Sequence, residues 1–279
     1  MVITIVGLGL IGGSLSIALQ AKGFASHIIG VESNLEHAAK AIELGLVQEC
    51  LDLDTAIQKS SLIIIATPIN AAEKLLPLIL NKVSDQVVFD VGSTKKSICE
   101  SVKMHPQRGR FVATHPMWGT ENSGPTAAIK GAFSKKATVI CDKTDSANDA
   151  LALVENVFAL LEMHILYMES AAHDMHVAYI SHISHITSFA LANTVLEKER
   201  EEDAIFELAS GGFESTVRLA KSNAAMWVPI FMQNRENVLD VLNEHISQLR
   251  KFKSCLEKEN YEYLQELIEN ANGIRRILK

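Results

Sequence analysis

The chain has 279 residues, 48% of them hydrophobic, with 26 basic against 33 acidic side chains and a net charge of −7. That length and apolar content suit a packed core in two domains and exclude wholesale disorder. The acidic balance, without a basic run, argues against nucleic acid as a partner. No apolar run approaches the ~20 residues that span a bilayer. Cys50, Cys99, Cys141 and Cys255 are scattered, with no C-x-x-C pair. This fits a reducing cytoplasm better than a disulfide framework or a cysteine-bound metal. The apolar N-terminus carries its first cation only at Lys22, so it does not read as a signal peptide.

Residues 2–6 form an apolar, β-branched run, as expected of a buried parallel strand. Gly7-Leu8-Gly9-Leu10-Ile11-Gly12 follows with G-x-G-x-x-G spacing, and residues 15–19 read as the first turns of a helix. Gly7 would permit the tight turn, Gly9 would let a pyrophosphate approach the backbone, and Gly12 would let helix and strand pack closely. The free N–H groups at the helix start, Leu10 and Ile11 among them, would hold the anion. A second strand over 26–31 ends at Glu32, 20 residues past Gly12. An acid there accepts hydrogen bonds from a ribose 2′-hydroxyl and repels a 2′-phosphate, so the reading is NAD rather than NADP. The plainer alternative is a glycine-rich turn in an unrelated α/β domain, with Glu32 merely solvated.

Helical spacing over 35–44 ends at Gly45, and the strand at 62–67 stops at Pro68. A helix over 71–80 precedes a strand over 87–91, with Gly92-Ser93-Thr94-Lys95 at its end. Further strands are expected at 111–114, running into His115-Pro116, and at 137–142 and 164–168. This alternation predicts a Rossmann-type doubly wound parallel sheet over 1–170. Gly7, Glu32, Thr67, Ser93 and His115 all fall at carboxyl ends of strands, where such sheets bind ligands. Thr67 and Pro68 join the glycine loop as candidate cofactor contacts.

Strand signals stop near residue 171. An all-helical domain over 171–279 is expected, entered by a direct strand-to-helix junction. Its elements are a long helix over 172–196, one near 203–209 ending at Ser210-Gly211-Gly212, and one over 214–222. Apolar positions then recur at helical spacing from Trp227 to Leu249, interrupted by Asn234 and His245, and a last helix covers 256–277. Long apolar-faced helices of this kind suit a homodimer interface; a monomeric helical core is the alternative.

His115 is the leading candidate for chemistry. An imidazole exchanges protons near neutrality, and oxidation of an alcohol needs a base for the hydroxyl proton. Ser93, at the neighbouring strand end, would orient His115 or share the substrate hydroxyl, although a serine after glycine is also an ordinary turn residue. Arg218, with Lys221 and Ser222 on one helical face, offers a fork for a carboxylate; an ion pair with Glu214 is the competing use. His173, His176, His182 and His185 give two H-x-x-H pairs. Without a third ligand or an H-E-x-x-H string, no metal site is expected.

The string His115-Pro116-Met117-Trp118-Gly119-Thr120-Glu121-Asn122-Ser123-Gly124-Pro125, preceded by Asp90-Val91-Gly92-Ser93-Thr94-Lys95, resembles the prephenate/arogenate dehydrogenase family of tyrosine biosynthesis. The likeness continues through Ser181-His182-Ile183-Ser184-His185, Gly211-Gly212-Phe213, Arg218-Leu219-Ala220-Lys221-Ser222 and Met226-Trp227, spanning essentially the whole chain in order. It implies an NAD-binding domain followed by a helical dimerisation domain in a cytoplasmic homodimer. It implies His115 as base or hydrogen-bond acceptor for the ring 4-hydroxyl, Ser93 helping to position it, Arg218 and His185 on the side-chain carboxylate, and Thr120 and Glu121 lining the pocket. An acidic enzyme with a dianionic substrate needs local cations, for which Arg218, Lys221 and a protonated His185 are the candidates. Departures from relatives fall at Trp118, often alanine, and at Glu214 and Ser215, often Lys-Asp; they bear on pocket shape and gating near Trp227. The implied reaction is oxidative decarboxylation of prephenate to 4-hydroxyphenylpyruvate. Arogenate dehydrogenase is the nearest alternative, and a non-catalytic NAD-binding regulator is the alternative from another class.

Overall fold

The computed structural model describes residues 1–199 and 208–277. Its first half alternates β1 (Val2–Val6), α1 (Leu10–Ala21), β2 (His27–Val31), α2 (Leu35–Glu43), β3 (Glu49–Cys50), α3 (Leu53–Lys59), β4 (Leu62–Ile65), α4 (Ile69–Leu80), β5 (Val87–Asp90) and α5 (Lys96–Ser101). β6 (Phe111–Pro116), β7 (Ala137–Cys141), α6 (Asn148–Leu160) and β8 (His164–Met168) complete an eight-stranded sheet of order β3-β2-β1-β4-β5-β6-β7-β8. The first six strands are parallel in the 3-2-1-4-5-6 order of dinucleotide-binding folds. Both faces are covered, which is why β1, β4 and β5 are almost continuously apolar. One layer packs Ile3, Ile5, Leu15, Phe89 and Phe158, and the other packs Ile63, Ile65, Leu76, Ile79 and Phe111.

The all-parallel expectation fails at the far edge. β7 runs antiparallel to β6, with His115 opposite Val139, and β8 is parallel to β7. Residues 117–136, rich in glycine and holding Pro125, supply no crossover α-helix. The chain therefore re-enters the sheet at the edge it left, since only a crossover could restore the parallel direction. This keeps the loop after His115 beside the carboxyl edge. It also packs against α1, where Ile129 N donates to Ser14 Oγ at 2.9 Å. β3, two residues long, and the short helices α3 and α5 were not anticipated from sequence.

The direct junction holds: β8 ends at Met168 and α7 (Ser170–Val177) begins two residues later. The single helix expected over 172–196 is α7, a π-helical turn (Ala178–His182) and α8 (Ile183–Glu199) in succession. The helix expected near 203–209 lies largely outside the described residues. Gly211-Gly212, expected to end it, instead begin α9 (Gly211–Val217), and a 3₁₀ turn (Arg218–Lys221) follows. The long apolar repeat divides into α10 (Ala224–Gln233) and α11 (Arg235–Glu257) at Asn234. The Asn234 side chain is buried and donates to Asp174 O at 2.7 Å. α11 runs past Leu256, and α12 (Tyr261–Ala271) starts at Asn260, whose side chain accepts from Tyr263 N. Trp227 and Ile230 of α10 join the apolar layer over α4, seating the helical half on the sheet domain. Among the described residues, no helix is long and apolar enough to cross a membrane.

Candidate active site

The glycine loop behaves as its spacing requires. Gly7 has φ +96°, and a Cβ there would meet Ala66 O at 2.7 Å; a Cβ on Gly12 would meet Gly7 O at 2.1 Å. Both positions are closed to other residues by the fold itself. Gly9 differs, because nothing lies within 4 Å of the Cβ it lacks. The protein does not need glycine there for its own packing, so the open space before α1 fits an approaching pyrophosphate. Leu10 is buried and Ile11 half-buried in the first turn of α1. Glu32 accepts from Leu8 N at 3.0 Å and Asn34 N at 2.9 Å, which fixes its carboxylate at the rim of this loop. Each oxygen keeps a lone pair for a ribose hydroxyl. Thr67 follows β4 with a buried Oγ1 that has no protein partner, and Pro68 beside it is exposed. An orphaned hydroxyl and an unfilled backbone cradle on one sheet edge are what a dinucleotide would complete.

Two strands, β4 and β5, lie between β1 and β6, so His115 stands three strand spacings, about 15 Å at ~4.8 Å each, along the edge from the glycine loop. Its Nδ1 lies 2.9 Å from His173 Nε2, and His173 Nδ1 lies 2.8 Å from Asp174 Oδ1. Asp174 also accepts from Lys95 N at 2.7 Å and Lys96 N at 2.9 Å, at the start of α5. These contacts determine the protons. The Asp174 carboxylate only accepts, so His173 carries its proton on Nδ1. With Nδ1 as its donor, His173 accepts at Nε2, so His115 donates from Nδ1. His115 Nε2 is left as a bare lone pair, the form a general base needs. Burial, with His173, Lys95 and His182 adding, pushes the His115 pKa well below 6.5, so the ring is neutral at pH 7.

Beneath this pair, Lys95 and Asp90 form an ion pair with both side chains fully buried. Lys95 Nζ also donates to Thr114 O at 2.8 Å, and Asp90 accepts from Thr114 N at 3.2 Å and Gly92 N at 2.9 Å. Asp90 ends β5 and Thr114 precedes His115, so the pair pins the two strand ends that carry Ser93 and His115. Ser93 is half-buried at this edge, with no hydrogen-bond partner for its hydroxyl among the described residues. His115 is hydrogen-bonded to His173 and not to Ser93, which bears on one of the two uses expected for Ser93, orienting His115 or sharing the substrate hydroxyl.

Arg218 reaches across to the loop after β6, where its Nη1 donates to Glu121 Oε2 at 3.1 Å. Its partner is Glu121 and not Glu214. Glu121's carboxyl is held below its usual range by its own backbone N–H, then by Arg218 and Lys221. Thr120 Oγ1 caps the same loop by accepting from Asn122 N. His185 stacks on Trp227 with ring centroids 3.5 Å apart and donates from Nδ1 to Ser181 O at 3.0 Å. Burial, reinforced by Arg218, lowers its pKa against the opposing pull of that carbonyl. The expected imidazolium at His185 is therefore corrected: the ring is neutral, and the cations of this pocket are Arg218 and Lys221. Trp227 Nε1 is buried without a partner.

The four histidines of the two H-x-x-H pairs go separate ways. His173 joins His115, His182 packs beside Trp227 next to Asn234, His185 stacks, and His176 is exposed. Sequence reading missed His173, Asp174, Asp90 and Lys95 as site residues. The available signal was an Asp next to a His in the first helix after the last strand, and an Asp and a Lys bracketing Gly92-Ser93.

A family model for the prephenate dehydrogenase nucleotide-binding domain matches residues 15–167, and one for the prephenate dehydrogenase dimerization domain matches residues 169–270. The chain is 29% identical to prephenate dehydrogenase of Bacillus subtilis, covering 98% of this chain and 75% of that one. It is similar to the crystal structure of prephenate dehydrogenase from A. aeolicus in complex with hydroxyphenyl propionate and NAD+, with TM-score 0.91 and 27% identity over 100% and 98% of the two chains. Synechocystis arogenate dehydrogenase gives TM-score 0.79 and 28% identity over 100% of each. The chain belongs to the prephenate dehydrogenase family, joining that family's nucleotide-binding and dimerization domains in one polypeptide.

Proposed function

We propose that this enzyme is an NAD-dependent prephenate dehydrogenase, oxidising and decarboxylating prephenate to 4-hydroxyphenylpyruvate in tyrosine biosynthesis. The observation that carries the reading is His115: a neutral imidazole with its outer nitrogen bare, at the cofactor edge of a dinucleotide fold. In this reading residues 1–170 bind the dinucleotide through the loop from Gly7 to Gly12, with Leu10 and Ile11 N–H groups on the pyrophosphate, Glu32 on the ribose, and Thr67 and Pro68 alongside. Residues 171–279 complete the substrate pocket. When bound, NAD accepts the hydride that leaves C4 of the ring. His115 takes the hydroxyl proton as the C4–O bond gains double-bond character, and Ser93 donates to the same oxygen. Arg218, with Lys221, holds the side-chain carboxylate, and Thr120 and Glu121 close the pocket. CO₂ leaves C1 and the ring becomes aromatic, so the protein's work is positioning and polarisation.

A second substrate has its own support. Arg218 is already paired with Glu121, and a carboxylate there suits an ammonium group next to the bound carboxylate. Arogenate presents that pair, and the likeness to an arogenate dehydrogenase is nearly as complete. The test is NADH absorbance with each substrate and in competition. A kcat/KM ratio favouring prephenate supports the main reading, and one favouring arogenate replaces it. No NADH from either would leave only a cofactor-binding regulator. We also propose a cytoplasmic homodimer, supported by the dimerization-domain match and by Ile180, Val228, Met232 and Leu239 exposed on the helical half.

A further inference from the structure

We propose that His173, backed by Asp174, is a proton-holding partner of His115: as His115 Nε2 takes the substrate's hydroxyl proton during oxidation, His173 takes the proton from His115 Nδ1 and returns it as the ring aromatises. The proposal rests on the reaction assigned above and on three features of the fold. The first is continuity, since His115 Nδ1, His173 Nε2, His173 Nδ1 and Asp174 Oδ1 form an unbroken line of two hydrogen bonds of 2.9 and 2.8 Å. The second is closure. His173 is 0% and Asp174 2% exposed, so a proton on His173 has no direct exit to solvent. The third is the chemistry. Prephenate, as a dianion, and NAD⁺ give the 4-hydroxyphenylpyruvate anion, CO₂ and NADH. The hydroxyl of the substrate is still a hydroxyl in the product, so no proton is released. A sealed relay suits a proton that is lent and returned, whereas an ordinary alcohol oxidation would need a path to water.

The steps balance. As the C4–H bond breaks and its electron pair leaves as hydride to the nicotinamide, the hydroxyl proton passes to His115 Nε2. The proton on His115 Nδ1 passes to His173 Nε2. The positive charge then sits on His173 against the Asp174 carboxylate. When the C1–CO₂ bond breaks, its electron pair moves through the ring to the C4 oxygen, and both protons travel back. The Asp174 carboxylate accepts from the Lys95 and Lys96 N–H groups and is placed to stabilise an imidazolium. Other groups face the pair as well. Lys95 and His182 disfavour charge on His115, and His182 faces His173 as well, whereas the Asp174 carboxylate lies 2.8 Å from His173 Nδ1. His173 and Asp174 do not touch the reacting atoms in this scheme and act through His115.

The decisive variant is His173→Gln. A glutamine amide offers His115 an acceptor and Asp174 a donor, so it preserves orientation but cannot carry the proton. The single-turnover rate of NADH formation is expected to fall about 10²-fold or more, with KM and NAD affinity within about threefold of wild type. In mixtures of H₂O and D₂O, the wild-type rate should bow with deuterium fraction, as two moving protons require, and the variant's should be linear. A His173→Gln enzyme with near-wild-type rate, or a linear wild-type plot, would overturn the relay. The resting arrangement is read without turnover by ¹⁵N NMR of the imidazoles in the wild-type protein. His115 protonated on Nδ1 and bare on Nε2 supports the proposal, and the opposite tautomer overturns it even if the variant does not fold. If wild type makes no NADH from prephenate or arogenate, the assigned reaction fails instead, and the NMR result still reports the tautomer.

Discussion

The buried pair of Lys95 and Asp90 is the most exposed point of this account to a stability measurement. Lys95→Met removes the ammonium and leaves the Asp90 carboxylate, itself 0% exposed, with only the Gly92 and Thr114 N–H groups at 2.9 and 3.2 Å. Removing one partner of a buried pair strands a charge and costs about 3–5 kcal/mol. With an unfolding entropy of about 2.1 cal/mol/K per residue, a chain of 279 residues loses roughly 5–8 °C in Tm. The same change frees Thr114 O, which Lys95 holds at 2.8 Å, immediately before His115. kcat should therefore fall along with Tm. Adding Asp90→Asn removes the stranded charge and should recover more than half of the lost stability while leaving kcat low. Calorimetry and NADH absorbance on the two variants give the answer. A Lys95→Met protein within about 1 kcal/mol of wild type, or a double variant no more stable than the single one, would refute the reasoning.

His115→Asn should lower kcat by about 10²–10⁴ with KM little changed, and an unaffected kcat removes His115 from the mechanism. Because burial and its neighbours hold His115 below 6.5, the base form already dominates at pH 7. kcat/KM should stay flat down to that value and fall only as pH drops through the depressed pKa, so a limb centred at or above 6.5 contradicts the assignment. Arg218→Ala should raise KM about 10–150-fold, the worth of a charged hydrogen bond of ~1.5–3 kcal/mol, and a normal KM leaves Arg218 as Glu121's partner only. Replacing Glu32 with alanine should erode the preference for NAD over NADP; an unchanged ratio means that its carboxylate does not reach the ribose.

Local patterns carried much of the fold. The β-branched runs, the glycine spacing and the break in character near residue 171 depend on neighbours in sequence, and each is where the pattern puts it. What was not legible depended on partners far along the chain. Whether β7 runs up or down is not written in its own apolar run; it follows from the helix-free segment before it. Asn234 looked like a flaw in an apolar repeat and is a buried donor to Asp174. The candidate site shows the same division. His115 was visible from its place after a strand, whereas its orienting partner lies 58 residues away and looked like half of a metal pair. Arg218 offered Glu214 as a partner at helical spacing, but the 3₁₀ turn after α9 directs it to Glu121. His185 read as a cation because its burial against Trp227 could not be seen.

A crystal structure of the protein with NAD and 4-hydroxyphenylpyruvate bound reads the geometry around His115 without any kinetic assumption. The account predicts the phenolic oxygen within hydrogen-bond distance of His115 Nε2, with the nicotinamide ring against C4 and the side-chain carboxylate on Arg218. A product bound with its hydroxyl away from His115, or a nicotinamide placed elsewhere than beside the end of β6, would contradict it.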